Sequence, residues 1–269
     1  MRVVFPYLAQ AHQLLPSLPI AAALAERHPG VEVRIAATRE DLLEPARRLA
    51  ARHALRASLS FDRLALGPGD HLRMAPGLGR TSFKKFTLLA NRRHFAGFHA
   101  VVTPERTSLF LRRLGVPAQS IWTRHGAGDR KIGFAPDVRG FHFVLMAGRN
   151  IERRLLKTSL ILQSRYATGA FACRPRPCVF LDAHDTSWQG DPNYRSWTLG
   201  PALRSAEGVE AELDRAFVRH ADYTEVQRRY FDQTVDLGPG PTTPRGADAI
   251  PAFMATRFES LRSPAGVSL

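Results

Sequence analysis

The sequence predicts an α/β protein: a Rossmann-like parallel sheet with helices on both faces, followed by a reduced, mostly helical C-terminal part. Three observations carry this expectation. The chain opens with strand, loop, helix, strand and helix. The same alternation then continues to five or six β/α units in about 160 residues, the size of one such sheet domain. After Leu160 it stops, and helical patterns dominate.

The elements follow in order. Arg2–Phe5 is a short apolar strand, Pro6–Leu15 a loop, and Leu18–Arg27 has the Ala and Leu density of a helix. His28-Pro29-Gly30 ends it, because proline cannot continue a helix and glycine suits the turn that follows. Val31, Val33 and Ile35 alternate with Glu32 and Arg34, the period of a strand. Thr38-Arg39-Glu40-Asp41 reads as an N-cap with acids in the first turn of a helix running to Arg52. Leu59–Leu66 is a weaker strand, and Gly67 to Gly79 a Gly/Pro loop. Ser82–Phe95 is a basic helix with Phe83, Phe86, Leu89 and Ala90 at helical spacing. Ala100–Thr103 is a strand, Glu105–Leu114 a helix capped by Gly115, and Ser120–Thr123 a strand entering the loop Arg124–Lys131. Phe141–Met146 is a further strand, with a basic helix from Asn150 to Leu160.

Beyond that point Gln163–Pro177 has no clean period, Cys178–Leu181 is a buried strand, and His184–Leu199 is a polar loop. Val209–His220, Tyr223–Val235 and Thr243–Phe258 read as helices. One strand and three helices are too few for a second complete sheet. The expected organisation is a sheet domain over 1–160, an irregular linker over 161–177 and a C-terminal remnant over 178–269.

Charge divides the chain the same way. Residues 1–157 carry 26 basic and 11 acidic side chains, residues 158–269 carry 12 and 13. At 44% hydrophobic and 23% charged, this is globular composition. No stretch of about 18 apolar residues predicts a transmembrane helix, and the N-terminus reads as a strand instead of a signal peptide. Cys173 and Cys178 cannot form a disulfide framework, and with His184 they do not complete a zinc set. A cytoplasmic location without metal is the expectation. Nucleic-acid binding has only the charge in its favour, with no helix-turn-helix, RNP or zinc-finger pattern.

In open parallel sheets the ligand crevice lies outside the carboxyl ends of the strands. Two loops there carry histidine. In Thr123–Lys131, Gly126 and Gly128 let the backbone approach a ligand, and His125 can act as a base near neutral pH. Arg124, Arg130 and Lys131 suit a phosphate or pyrophosphate. The same residues also fit an ordinary basic surface loop. His12, in the first βα loop, is placed for catalysis or for a backbone hydrogen bond. His184, between Asp182 and Asp185, could orient a base, ligate a metal or stand in a solvated loop. There is no Walker A, G-x-G-x-x-G or G-x-S-x-G pattern.

At Trp122-Thr123-Arg124-His125-Gly126 the chain resembles the bacterial CDP-glycerol glycerophosphotransferases and their relatives. These carry a W/T-x-H-G-T-P-type loop on a two-domain GT-B glycosyltransferase fold. Ile121–Gly133 is similar to that loop, with Ala127-Gly128 in place of Thr-Pro. Tyr7–Ala36 resembles the first βαβ unit of GT-B transferases, several of which hold a catalytic histidine there. Arg176–Asp182 looks like the strand after the nucleotide site, and Arg245–Ile250 like the closing R-x-x-D-x-I segment. The resemblance implies that His125, or His12, activates the acceptor hydroxyl. Arg124, Gly126, Gly128, Arg130 and Lys131 would hold donor phosphate, with Asp129 and His184 behind them. Residues 1–160 become the acceptor side, and 178–269 the remnant of a nucleotide-binding domain. One departure is large: no D-x-S-S loop stands between Leu160 and Cys178, and about a hundred residues of an ordinary Rossmann half are missing.

Two functions follow from the resemblance. One is transfer of a glycosyl or glycerophosphoryl group from a nucleotide-activated sugar or glycerol donor to a polysaccharide or lipid-linked acceptor of the cell envelope, with no separate cofactor. The other is a catalytically impaired, truncated relative that binds polysaccharide or an anionic membrane surface. Its basic amphipathic segments, Phe83–Arg93 and Arg149–Lys157, fit either acidic headgroups on the inner face of the plasma membrane or solvated helix faces.

Overall fold

A strand that is apolar on both faces has to be covered on both, and Arg2–Tyr7 meets that requirement in the interior of the sheet. The computed structural model describes residues 1–8, 11–52, 59–66, 80–124, 134–161, 166–168, 177–182, 186–234 and 241–262. In chain order the elements are β1 (Arg2–Tyr7), α1 (Leu14–Arg27), β2 (Glu32–Ala37), α2 (Glu40–Arg52), β3 (Leu59–Arg63), α3 (Arg80–Ala90) and α4 (Arg92–Ala96). They continue with β4 (Ala100–Thr103), α5 (Phe110–Arg113), β5 (Gln119–Trp122), β6 (Phe143–Met146), α6 (Arg149–Lys157) and β7 (Tyr166–Thr168). The C-terminal elements are β8 (Phe180–Leu181), β9 (Ala202–Leu203), α7 (Val209–Val218), α8 (His220–Thr234) and α9 (Thr242–Arg262).

Seven parallel strands lie in the order β3-β2-β1-β4-β5-β6-β7. Register follows the apolar alternation: Val3 pairs with Val33 and Ala100, and Phe5 with Ile35. Val3, Phe5, Val33 and Ile35 enter one core beneath α1 and α2. Val4, Val101 and Leu8 enter a second core with Leu88 of α3, Phe95 of α4 and Leu111 of α5. A third core joins Trp122, Val144 and Met146 to Ile151 and Leu155 of α6. Parallel crossovers are right-handed, so helices of the leftward connections and of the rightward connections lie on opposite faces. That leaves the first face bare beneath β4, β5 and β6. α9 covers it: Ala247, Ile250 and Met254 share a core with Ala100, Val102, Ile121 and Leu145. Phe253 stacks on Phe143 with ring centroids 4.6 Å apart.

The α/β class and the helical C-terminal part are therefore as expected. The strand expected to be buried over Cys178–Leu181 is only Phe180–Leu181, with Leu181 exposed. Pro192–Leu199 of the expected loop is a 3-10 helix, and four further details differ. Tyr166–Thr168 is an edge strand on β6, inside the segment expected to be irregular, because three residues are too few to show a period. The basic helix is broken at Asn91. Its side chain accepts from Ala65 N (2.9 Å) and donates to Ala65 O (2.7 Å), a tertiary clamp between α3 and the end of β3. The Glu105–Leu114 helix is one 3-10 turn, Arg106–Leu109, followed by the short α5, and Gly115 ends it at φ +73°. α9, assigned in sequence to the C-terminal remnant, is part of the sheet domain's own core because it fills the face the crossovers leave open.

A clasp fixes that helix. Asp248 accepts from Arg27 Nε and Nη2 at 2.9 and 2.7 Å and pairs with His28 Nε2 at 2.8 Å. Asp248 lies in the Arg245–Ile250 segment, so its place in the resemblance coincides with a tie between α9 and α1. The smaller C-terminal sheet is the parallel pair β8–β9. Gly200 precedes β9 against the Cys178 backbone, and a Cβ there would fall inside the Cys178 carbonyl.

Two outcomes follow from these contacts. Hydrogen bonding to Arg27 holds the Asp248 carboxyl below the ordinary carboxylate range, with His28 adding to it. A depressed folded-state pKa gives stability that is present above about pH 4 and lost as pH falls through the folded value. The protection factors of α9 amides should therefore fall on acidification below about pH 4, and Asp248→Asn should show the reduced protection already at neutral pH. Gly200→Ala should selectively unfold the β8–β9 pair, by about 1–3 kcal/mol as an overpacking cost, read as lost protection at Phe180 and Leu203 with α1 unchanged.

Candidate active site

The sheet's topological switch point lies between β1 and β4, where the chain stops adding strands on one side and starts on the other. The loops leaving these strands, and the next loop after β5, define the candidate site. After β1 the chain forms one 3-10 turn, Ala11–Gln13, which leads directly into α1. The backbone of His12 is thus at the switch point, as the sequence placed it. The turn is held from beneath. Burial pushes the Tyr7 hydroxyl well above its ordinary pKa, so it donates to Ser17 Oγ (2.9 Å), which donates to the Gln13 carbonyl (3.1 Å). Thr38 Oγ donates to the Leu8 carbonyl (2.8 Å) and fixes the start of the same loop.

Across the switch point stands a residue that the sequence argument missed. Glu105 follows β4 by one residue after Pro104 and is 3% exposed along its side chain. Its amide donates to Thr103 Oγ at 3.0 Å, and its carbonyl accepts from Ser108 Oγ at 2.6 Å, so its backbone is fixed on both sides. Lys84 of α3, 12% exposed, brings Nζ to 2.7 Å from Glu105 Oε2. The pair is a buried charge couple at the carboxyl end of a central strand. A signal was present in the sequence: Glu105 is the first acid after Asp70, and it sits directly behind a strand.

The β5 loop begins in order. Thr123 N donates to the Thr103 carbonyl at 3.0 Å, and Trp122 Nε1 to the Pro104 carbonyl at 3.0 Å. Arg124 then adopts φ +59°, a left-handed conformation that costs a non-glycine residue of order 1–3 kcal/mol. The turn sends its side chain inward: Arg124 is 4% exposed, with its guanidinium 5.4 Å from the Trp122 ring and 4.6 Å from the Phe134 ring. Arg154 lies over Phe134 as well, at 4.0 Å. Arg124, expected to face donor phosphate, is buried against the Trp122 and Phe134 rings at the start of that loop. His125, Gly126, Gly128, Asp129, Arg130 and Lys131 lie outside the described residues, as does His184.

A second crevice lies at the carboxyl ends of β8 and β9, a polar cleft of about 230 Å³. Asp182, Thr186, Ser187, Trp188 and Arg204 line it. Asp182 Oδ1 accepts from Thr186 N at 2.8 Å. Above it, Trp197 packs against Phe180, Trp188 and Tyr194 at centroid distances of 5.0–6.0 Å. Glu105 and Lys84 at the switch point are separate from this cleft, which belongs to the C-terminal elements.

The buried pair makes a direct prediction. Removing one partner of a buried ion pair costs about 3–5 kcal/mol, because the other charge is left uncompensated. Lys84→Met should lose stability on that scale in urea unfolding, and the double variant Lys84→Met/Glu105→Gln should recover most of it. A double-variant loss equal to the sum of the separate Lys84→Met and Glu105→Gln losses would show that the two groups do not interact.

No family model matches the chain, and no curated protein is similar to it. Among solved structures it is similar to a UDP-N-acetylglucosamine 2-epimerase, with a TM-score of 0.52 and 8% identity, the alignment covering 100% of this chain and 99% of that one. It is also similar to a putative UDP-N-acetylglucosamine 2-epimerase from Listeria monocytogenes, with a TM-score of 0.53, 9% identity and the same coverage. At these identities the likeness carries the fold alone. The chain has a Rossmann-like α/β fold.

Proposed function

We propose that the chain is a GT-B-type transferase that moves a glycosyl or glycerophosphoryl group from a nucleotide-activated donor to an acceptor hydroxyl. The observation that carries this reading is the switch point. Three consecutive strand ends, β1, β4 and β5, deliver His12, the Glu105–Lys84 pair and the stem of the His125 loop to one edge of the sheet. Binding sites of open α/β sheets form at that edge. The names of the two similar structures add a nucleotide-sugar chemistry to the proposal.

In this reading His125, or His12 in its place, takes the proton of the acceptor hydroxyl as the oxygen attacks the donor. For a sugar donor, the bond from the anomeric carbon to phosphate oxygen breaks and the nucleoside diphosphate leaves. For a glycerol donor, the phosphoanhydride breaks and the nucleoside monophosphate leaves. Arg130 and Lys131 neutralise the charge that develops on the leaving phosphate, and Gly126 and Gly128 let the backbone approach it. Asp129 and His184 orient these groups. The acceptor is a polysaccharide or lipid-linked chain of the cell envelope.

The two-residue strands of β8–β9 favour a second reading, in which the chain binds a glycan without turning it over. Thermal unfolding with UDP-N-acetylglucosamine and with CDP-glycerol separates the two. A donor at a hundred times its Kd should stabilise the protein by about 2.7 kcal/mol, and an unshifted melt with both donors removes the transferase reading. His125→Ala should retain the shift and lose about 10²–10⁴-fold in transfer rate. Unchanged turnover would take His125 out of the mechanism.

A further inference from the structure

The outer face of α3 and α4 takes no part in the proposed transfer. Thr87, Leu88, Asn91 and Phe95 turn inward and are buried, while Lys85, Phe86, Leu89, Ala90, Arg92 and Arg93 are exposed. Phe86, Leu89 and Ala90 are spaced three and four apart on α3, so they share one stripe. Phe86 and Leu89 remain 49% and 43% exposed, unusual for large apolar side chains on adjacent turns. Leu66, next to the residue that Asn91 clamps, is also exposed at 46%. Between Asp70 and Glu105 there is no acidic residue, and six cations are present: Arg73, Arg80, Lys84, Lys85, Arg92 and Arg93. Lys84 turns inward to Glu105, and Lys85 leans towards the Phe110 ring at 5.9 Å while staying exposed.

We propose that this face docks on an anionic lipid surface. Aromatic and aliphatic side chains flanked by cations on a helix lying along the protein are what the boundary between headgroups and acyl chains accommodates. Each Lys or Arg adds attraction to acidic lipid. No described helix is long and apolar enough to cross a membrane, so the contact is peripheral. Lys84 and Phe86 are about 200° apart around α3. Docking through Phe86 therefore leaves Lys84 and its ion pair with Glu105 on the opposite side of α3. The proposal does not depend on the transfer reaction, because its test reads binding without turnover.

Flotation of the full chain tests it. The protein is mixed with vesicles of phosphatidylcholine alone, or with phosphatidylglycerol at about a third of the lipid. Recovery with the anionic vesicles should exceed that with neutral ones and fall at high salt. Arg92→Glu/Arg93→Glu should reduce partitioning by at least about tenfold, and Phe86→Ser/Leu89→Ser should reduce it with an unchanged melting temperature. Equal recovery with both lipids, or wild-type binding by the charge-reversed variant, overturns the proposal. So does a dimer in light scattering that Phe86→Ser/Leu89→Ser dissolves while no vesicle binding is seen. That outcome would assign the face to a second copy of the chain.

Discussion

Handedness governs this structure more than any single contact. β1 has strands on both sides and helices on both faces, and each crossover from it must close to the right. Building leftward to β2 and β3 puts α1 and α2 on one face. Building rightward through β4, β5 and β6 puts α3 to α6 on the other. Half of the first face is left without a helix of its own, and parallel sheets are stable only when both faces are covered. α9 meets that need from the far end of the chain. Its clasp to Arg27 and His28 is the polar boundary of an apolar contact that includes Ala247, Ile250, Met254 and Phe253. The reversal that creates the uncovered face also creates the crevice at the switch point, so the need for α9 and the candidate site have one cause.

The polar groups at that crevice are held at a cost. A buried Lys–Glu couple is no stronger a stabiliser than an apolar pair of similar volume. Arg124 in a left-handed conformation is disfavoured as well. Both are over-determined by their surroundings: Glu105 by Thr103 and Ser108, Arg124 by Trp122 and Phe134. Packing that sustains unfavourable local choices on neighbouring strand ends is characteristic of sites where geometry matters to function. The observation therefore reinforces the switch point over the polar cleft at β8 and β9.

Much of this was legible in the sequence, and the failures have physical reasons. The strands from Arg2 to Met146 were visible because parallel strands buried on both faces read as short apolar runs between glycine and proline. Gly115 was visible as a cap because positive φ suits glycine. Tyr166–Thr168 was hidden because its pairing with β6 is entirely tertiary. The break at Asn91 was hidden because helical periodicity continues across it, and only the clamp to Ala65 interrupts the backbone. At the site, the loop after β5 was located correctly at its stem. The burial of Arg124 was not legible, because the Phe134 ring that packs on its guanidinium lies ten positions away. Glu105 was passed over as a helix start, since nothing local announces a partner twenty-one positions earlier.

The charge asymmetry takes on a local meaning once partners are assigned. Many arginines of the basic portion are already neutralised: Arg2 and Arg34 by Glu32, Arg34 also by Asp62, Arg27 by Asp248, Arg48 by Glu44 and Arg106 by Asp137. Such surface pairs add little to stability, but they remove charge from the field that an approaching partner meets. Lys85, Arg92 and Arg93 pair with no described carboxylate and lie in a stretch without acids. The excess that the composition spreads over 157 residues is thus concentrated, in part, on one helical face beside two exposed apolar side chains. A general polyanion would be attracted by the charge alone and would gain nothing from Phe86 and Leu89. A neutral apolar partner would gain nothing from the arginines. Only a surface that is both acidic and apolar uses the whole face, and a bilayer of anionic lipid has both properties.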